Sequence, residues 1–214
     1  EVGHKLLRDA GWDGKKRVVA LCPINPFWWP VKPDLAKAVQ HKLGGQHKKE
    51  HYQSIYFHHK SKEDDEKYDT YTQAIAWAID QFQKEEDVFP ILVGMEKLDR
   101  RSAEKVNRSL DYDIPLFISD TYDMYEMVSV VRNCSMMISS RFHAIVTSMP
   151  GKVASGGITM DERIRNLMAD RNHPELFLEV DEENLAEKIL NMLRHLSANQ
   201  EQIGEDIARV LPRQ

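Results

Sequence analysis

The chain has 214 residues, 42% of them hydrophobic and 29% charged, with ten glycines and nine prolines spread along it. That composition supports one sizeable buried core and excludes disordered, collagen-like and disulfide-scaffold classes. The formal net charge of −5 gives no global attraction to nucleic acid or an anionic membrane, so an anionic ligand must be held by a local group of cations or helix N-termini.

Residues 4–12 (HKLLRDAGW) read as a short helix or linker that ends at Asp13-Gly14. RVVALCPIN (17–25) is a continuous apolar run of the kind found in strands buried on both faces. Three prolines make NPFWWPVKPD (25–34) a loop at the end of that strand, with a helix expected at 34–43. Residues 44–65, rich in lysine and histidine and closing on an acidic run, read as an excursion holding one short strand, SIYFHH. From Tyr68 to Gln83 the apolar residues Tyr71, Ile75, Ala78, Ile79 and Phe82 recur at helical spacing.

FPILVGM (89–95) is the next buried strand, followed by a helix at 99–110 and the strand PLFISD (115–120). The alternation continues with helix 122–132, strand SMMISS (135–140), helix 141–148 and strand KVASGG (152–157). Helix 160–170, strand ELFLEV (175–180) and one long helix from about Glu183 complete it. Six short strands alternating with helices predict an α/β fold, a doubly wound, mostly parallel Rossmann-like sheet with helices on both faces. The domain is expected to run from 17 to 214, with 1–16 as a leading helix or linker.

Ligands of such sheets sit at the carboxyl ends of the strands. Ser140-Arg141-Phe142-His143 occupies such an end, at the start of a helix. Arg141 suits a carboxylate or phosphate, and His143 suits proton transfer near neutrality. On spacing alone, the alternative is that Arg141 pairs with a nearby acid and His143 packs on its helix. Asn25 and Trp28 follow the first strand and are candidates for sugar contact, as is neighbouring Trp29. Gly156 and Gly157 would let a ligand approach the backbone closely, although Thr159-Met160-Asp161-Glu162 reads as a capping box for the next helix. On that helix Arg163 is expected to look toward the site and Arg165 to lie on the surface.

Asp99, Asp120 and Asp123 read as helix caps. His47, His51, His58 and His59 match no zinc-binding spacing, and no metal site is expected. Cys22 and Cys134 read as buried reduced thiols. No run approaches the roughly 20 apolar residues of a membrane helix, and no leader sequence opens the chain, so a cytoplasmic location is expected.

The segment ISSRFHAIVTSMPGKVASGGITMDERIRNLM (138–168) resembles the polysaccharide pyruvyl transferase family. The resemblance lies in a strand ending in a polar residue, then R-[LF]-H-A, a short helix, another strand, and a helix beginning Asp161-Glu162-Arg163-Ile164. It implies transfer of a pyruvyl group from phosphoenolpyruvate to a sugar or glycan hydroxyl as a ketal, without a cofactor. It also implies a two-domain, GT-B-like enzyme of which this chain is the C-terminal half, completed by an N-terminal half or a partner subunit. Carried over, Arg141 holds the phosphate or carboxylate of phosphoenolpyruvate and His143 acts as the acid at its enol, with Ser140, Asn25, Trp28, Gly156, Gly157 and Arg163 as substrate contacts. Two alternatives stand beside it. One is a GT-B-type nucleotide-sugar glycosyltransferase or epimerase, with Glu162 and Asp170 as its acidic pair. The other is a non-catalytic half that binds carbohydrate or a partner.

Overall fold

The computed structural model describes residues 1–28, 32–46, 51–57 and 61–211. In chain order the elements are α1 (Val2–Asp9), β1 (Arg17–Cys22), β2 (Lys32–Pro33), α2 (Leu35–Gly44), β3 (His51–Gln53), β4 (Tyr56–Phe57), α3 (Lys62–Glu85), β5 (Val88–Gly94) and α4 (Arg100–Asn107). They continue with β6 (Leu116–Ile118), α5 (Met124–Arg132), β7 (Met136–Ser139), α6 (Phe142–Ser148), β8 (Ala154–Ile158), α7 (Glu162–Asp170), β9 (Phe177–Leu178), α8 (Leu185–Ala198) and α9 (Gln200–Val210). The chain divides into a larger unit, Glu1–Ile24 with Tyr71–Gln214, and a smaller one, Asn25–Thr70. Among the described residues no helix is long and apolar enough to cross a membrane.

The larger unit is built on a six-stranded sheet in the order β6-β5-β1-β7-β8-β9. Every pairing in it is parallel. Counted along the chain, that is strand order 3-2-1-4-5-6, the doubly wound arrangement with its reversal between β1 and β7. The expected α/β class therefore holds, and the sheet is parallel throughout. The cause is visible in the strands themselves: Val18, Val19, Ala20 and Leu21 of β1, and Met136, Met137 and Ile138 of β7, are all buried. Both faces of the central strands are covered, so an unbroken apolar run is what they require.

Helix α1 belongs to this unit. Its Gly3 N–H donates to Ser129 Oγ of α5 at 2.8 Å, and its Leu7 is fully buried. The edge strand β9 is shorter than the expected 175–180, because Pro174–Leu176 forms a 3-10 turn ahead of it. The long C-terminal helix is in fact two, α8 and α9, separated at Asn199, whose φ of −118° and ψ of 20° leave the helical region. Helix α3 begins at Lys62, well before the apolar periodicity starts. Ser61 Oγ accepts from Asp64 N–H at 3.0 Å, and Glu63, Asp64 and Asp65 fill the first turn, so capping and the helix dipole place that end.

The smaller unit contains an antiparallel three-stranded sheet, β2-β4-β3, in place of the single strand expected there. Asp34 caps α2 by accepting from Lys37 N–H at 2.9 Å, and Gly45 ends the helix at φ 63°. Of the histidines weighed as metal ligands, His51 lies in β3, while His47, His58 and His59 fall outside the described residues, as does Trp29.

Candidate active site at the strand switch point

The crevice of a doubly wound sheet opens where the strand order reverses. Here that is between the carboxyl ends of β1 and β7. Ser140 N–H donates to the Cys22 carbonyl at 3.0 Å, which carries the β1–β7 pairing one residue past β7 before the chain turns into α6. The turn is held by Ser139, whose hydroxyl donates to the Arg141 carbonyl and accepts from the Arg141 N–H, both at 2.9 Å.

Ser140 is buried at this turn. Its hydroxyl donates to the Ile158 carbonyl at the end of β8. That donation commits its only proton, so the Tyr71 hydroxyl, 2.6 Å away, is the donor to Ser140. Ser140, expected as a substrate contact, ties β7 to the end of β8 and to α3.

Arg141 stands at the N-cap position of α6, its side chain 20% exposed. Its Nε lies 3.2 and 3.0 Å from the two Asp99 oxygens, and its Nη2 lies 2.5 Å from Asp99 Oδ1 and 3.1 Å from Glu96 Oε2. Asp99 is 2% exposed. It closes the 3-10 turn Lys97–Asp99 after β5 and accepts from the Glu96 N–H at 3.0 Å. The expectation that Asp99 caps the following helix is overturned, because its side chain makes no bond to the N-terminus of α4. A carboxylate committed to a guanidinium and to its own 3-10 turn is not available for that role.

Burial pushes the Asp99 carboxyl above the usual carboxylate range, with the Arg141 guanidinium pulling against it. Burial also works against the Arg141 charge, but Asp99 and Glu96 outweigh it and hold its pKa above the ordinary value. The Nε and Nη2 edge of Arg141 is thus occupied by protein carboxylates. Its Nη1 makes no hydrogen bond among the described residues, which leaves one edge of the guanidinium for a ligand.

His143, two residues further on, is exposed, and its ring has no hydrogen-bond partner among the described residues. Phe142 lies edge-on to it with ring centroids 6.1 Å apart. Arg163 stacks over Phe142, its guanidinium carbon 5.0 Å from the ring centroid, so the starts of α6 and α7 meet here. Arg163 is also paired with Asp161, Nη2 to Oδ2 at 2.6 Å, and that bond holds the Asp161 carboxyl below the usual range, with His143 adding to the effect. Asp161 itself is the N-cap of α7, accepting from Arg163 N–H at 2.9 Å, while the buried Thr159 accepts from Asp161 N–H. The cap therefore lies two residues beyond the expected Thr159. Arg165 covers the Phe177 ring at 4.4 Å and pairs with Glu179 and Glu162.

Gly156 and Gly157 lie inside β8 and are buried. A Cβ on Gly156 would stand 2.3 Å from Met192 Sδ of α8, and one on Gly157 would stand 2.3 Å from Ile164 Cγ2 of α7. Close helix packing on the strand accounts for both glycines without a ligand. Asn25 accepts from Phe27 N–H at 3.0 Å and Trp28 ends the 3-10 turn Pro26–Trp28, both within the smaller unit. Of the three proposed caps, Asp123 does cap its helix, through Glu126 N–H at 2.9 Å, whereas Asp120 forms a two-point ion pair with Arg100.

Asp99, Glu96 and Tyr71 were not recognised as neighbours of Arg141 and Ser140 from sequence. Asp99 and Glu96 did carry a usable signal, since they follow the carboxyl end of the strand next to β1. Tyr71 carried none, because it shares the apolar periodicity of its helix.

A family model described as polysaccharide pyruvyl transferase matches residues 1–149, a span that contains Arg141 and His143 and stops short of β8. No curated protein matches the chain.

Proposed function

This chain belongs to the polysaccharide pyruvyl transferase family, and from that premise we propose that it transfers the pyruvyl group of phosphoenolpyruvate to a sugar as a ketal. Proton delivery to the methylene carbon of the enol makes the adjacent carbon electrophilic. A sugar hydroxyl adds there and gives up its proton, phosphate departs with the electrons of its bond to that carbon, and a second hydroxyl of the sugar adds to the same carbon to close the ketal. Of the two hydroxyl protons one restores the proton donor and the other leaves with the phosphate. The reaction calls for a proton donor and a fixed positive charge.

In this reading His143 supplies the proton and the Nη1 edge of Arg141 holds the phosphate or carboxylate. Asp99 and Glu96 are positioning residues that fix the guanidinium. Arg163, turned toward Phe142, adds positive charge at the neighbouring helix start. The observation that carries the reading is the pairing of Arg141 with Asp99 at the switch point, which presents an oriented guanidinium two residues before an unengaged histidine. The two free, buried thiols accord with a reducing, cytoplasmic setting.

Thermal unfolding of the chain with phosphoenolpyruvate, and separately with UDP-sugars, tests it. A ligand at about 100 times its dissociation constant adds about 2.7 kcal/mol. Stabilisation by phosphoenolpyruvate is expected, and Arg141→Lys is expected to weaken it. Lysine keeps the charge opposite Asp99 but has no second edge to offer. Stabilisation by UDP-sugars and not by phosphoenolpyruvate would overturn the reading in favour of a nucleotide-sugar enzyme.

A further inference from the structure

The last helix, α9, is docked by apolar residues and by one polar tie. Ile203 and Ile207 are buried, and Gly204 lets the helix come so close that a Cβ there would stand 3.0 Å from the Lys152 carbonyl oxygen. Asp206 accepts within its own helix from Gln202 and Arg209, at 3.0 and 2.6 Å. Among the described residues, the one side-chain hydrogen bond that leaves α9 for another element joins Asp206 Oδ2 to His173 Nε2, at 3.1 Å.

His173 is set in place by the chain before it. Asn172 takes the left-handed conformation at φ 61°, its N–H donates to the Ala169 carbonyl, and the His173 N–H donates to the Met168 carbonyl, which closes α7 in a Schellman turn. Pro174 then opens the 3-10 turn Pro174–Leu176. Both nitrogens of the His173 ring face carboxylates, Nδ1 at 2.9 Å from Glu175 Oε1 and Nε2 toward Asp206. The side chains of His173 and Asp206 are 13% and 17% exposed. Burial pushes the Glu175 carboxyl up, but the bond to His173, a backbone bond and the charges of His173 and His195 outweigh it and hold it below the usual range. His195 reaches Glu175 from α8, its Nε2 3.7 Å away. The Gln202 bond, with the His173 bond and the Arg209 charge, holds Asp206 low in the same way. Arg171, two residues before His173, is committed to Ser155 of β8 at 2.9 Å.

A neutral imidazole carries one N–H and one lone pair, so it donates to one of these carboxylates and turns a lone pair on the other. Only the imidazolium donates to both. We propose that His173 is a proton-operated clamp on α9: protonated, it bridges Glu175 to Asp206, and on losing a ring proton it lets Asp206 go and the helix loosens. The bond to Glu175 lies within one turn and is the shorter of the two, so the neutral ring keeps it. Asp206 is the partner released, because Gln202 and Arg209 still satisfy it. The folded chain supplies acceptors for both ring protons, so the clamp is closed on the acid side of the imidazole range and opens as pH rises through it. Both carboxyls are held low and stay ionised down to below about pH 4, which keeps the clamp closed over that span. The proposal is independent of the reaction assigned to Arg141 and His143.

Nitrogen-15 NMR of the His173 ring in the whole chain, read beside amide exchange of α9, tests it. Both ring nitrogens are expected to carry protons at about pH 5.5, and Nδ1 alone at about pH 8.5. Amide protection of residues 200–210 relative to that of β1, corrected for the intrinsic pH dependence of exchange, is expected to fall about tenfold or more across that interval, for the loss of one charge-assisted bond. Asp206→Asn is expected to remove most of the fall, since an amide can accept from or donate to a neutral ring. His173→Gln is expected to remove it as well. The ring measurement is made on the unaltered chain, so it decides the matter even where a variant misfolds. A ring with one protonated nitrogen on the acid side, a neutral ring that keeps its Nε2 proton, or an equal fall in protection in His173→Gln would overturn the proposal.

Discussion

Arg141 and Asp99 form a two-point ion pair that spans the carboxyl end of β1, joining the loop after β7 to the turn after β5. Asp99 is the more deeply buried partner, at 2% exposed against 20% for Arg141. Removing one member of a buried pair leaves the other uncompensated, which costs more than the pair is worth. Asp99→Ala is therefore expected to destabilise the chain by about 3 kcal/mol in urea unfolding, the low end of the usual range because Arg141 retains Glu96 and some water. Replacing both members, Asp99→Leu with Arg141→Met, is expected to recover most of that loss. A double variant as unstable as Asp99→Ala alone would show that the ion pair itself, and not the unpaired charge, governs the stability.

His143 gives a prediction of the opposite kind, in which chemistry and stability separate. Its ring is exposed and lies edge-on to Phe142. His143→Gln is expected to change unfolding free energy by less than about 0.5 kcal/mol. On the proposed reaction, with His143 as its general acid, the same substitution is expected to lower pyruvyl transfer by about a hundredfold to ten-thousandfold, with little change in phosphoenolpyruvate affinity. A loss of affinity with the turnover rate intact would assign His143 to binding instead.

The strands were legible because burial on both faces leaves one solution in sequence, an apolar run such as RVVALC or MMIS bounded by polar turns. Alternation with helices then carried the parallel topology, whereas the strand order, and with it the switch point between β1 and β7, was not legible. What stayed hidden depended on partners distant along the chain. An aspartate before a helix looks the same whether it caps that helix, as Asp123 does, or reaches an arginine 42 residues away, as Asp99 does. Gly156-Gly157 looks the same whether a ligand or a helix crosses it, and the crossing atoms belong to Met192 and Ile164. The break at Asn199 was hidden for a related reason, since the apolar spacing of α8 and α9 runs on through it while the backbone does not.

The two glycines of β8 are expected to differ in their tolerance of a methyl group. At Gly157 the added Cβ meets Ile164 Cγ2 at 2.3 Å, a branch fixed to a stiff β-carbon. At Gly156 it meets Met192 Sδ, also at 2.3 Å, on a side chain that can rotate away. Gly157→Ala is accordingly expected to cost about 2–3 kcal/mol and Gly156→Ala about 1–2 kcal/mol in urea unfolding, within the range for overpacked cores. Ile164→Ala in the Gly157→Ala background is expected to cost less than it does alone, which a double-mutant cycle reads directly. Strict additivity would show that the two side chains do not collide.

The ion pair between Asp120 and Arg100 predicts a feature of acid unfolding. Hydrogen bonding from Arg100 holds the Asp120 carboxyl down to about 2, well below the value of about 3.9 expected in the unfolded chain. A carboxyl whose pKa is lowered by folding contributes stability above its unfolded value and loses it as pH falls through the folded one. Asp120→Asn is therefore expected to flatten the loss of stability between about pH 4 and about pH 2, as followed by urea midpoints across that window. Asp99 acts with the other sign, because burial raises its pKa and so removes stability as pH climbs above the unfolded value. The two contributions fall on opposite sides of about pH 4, so Asp120→Asn should leave the slope above that pH unchanged. A variant that alters the slope above pH 4 and not below it would mean that Asp120 is not the group titrating in the acid limb.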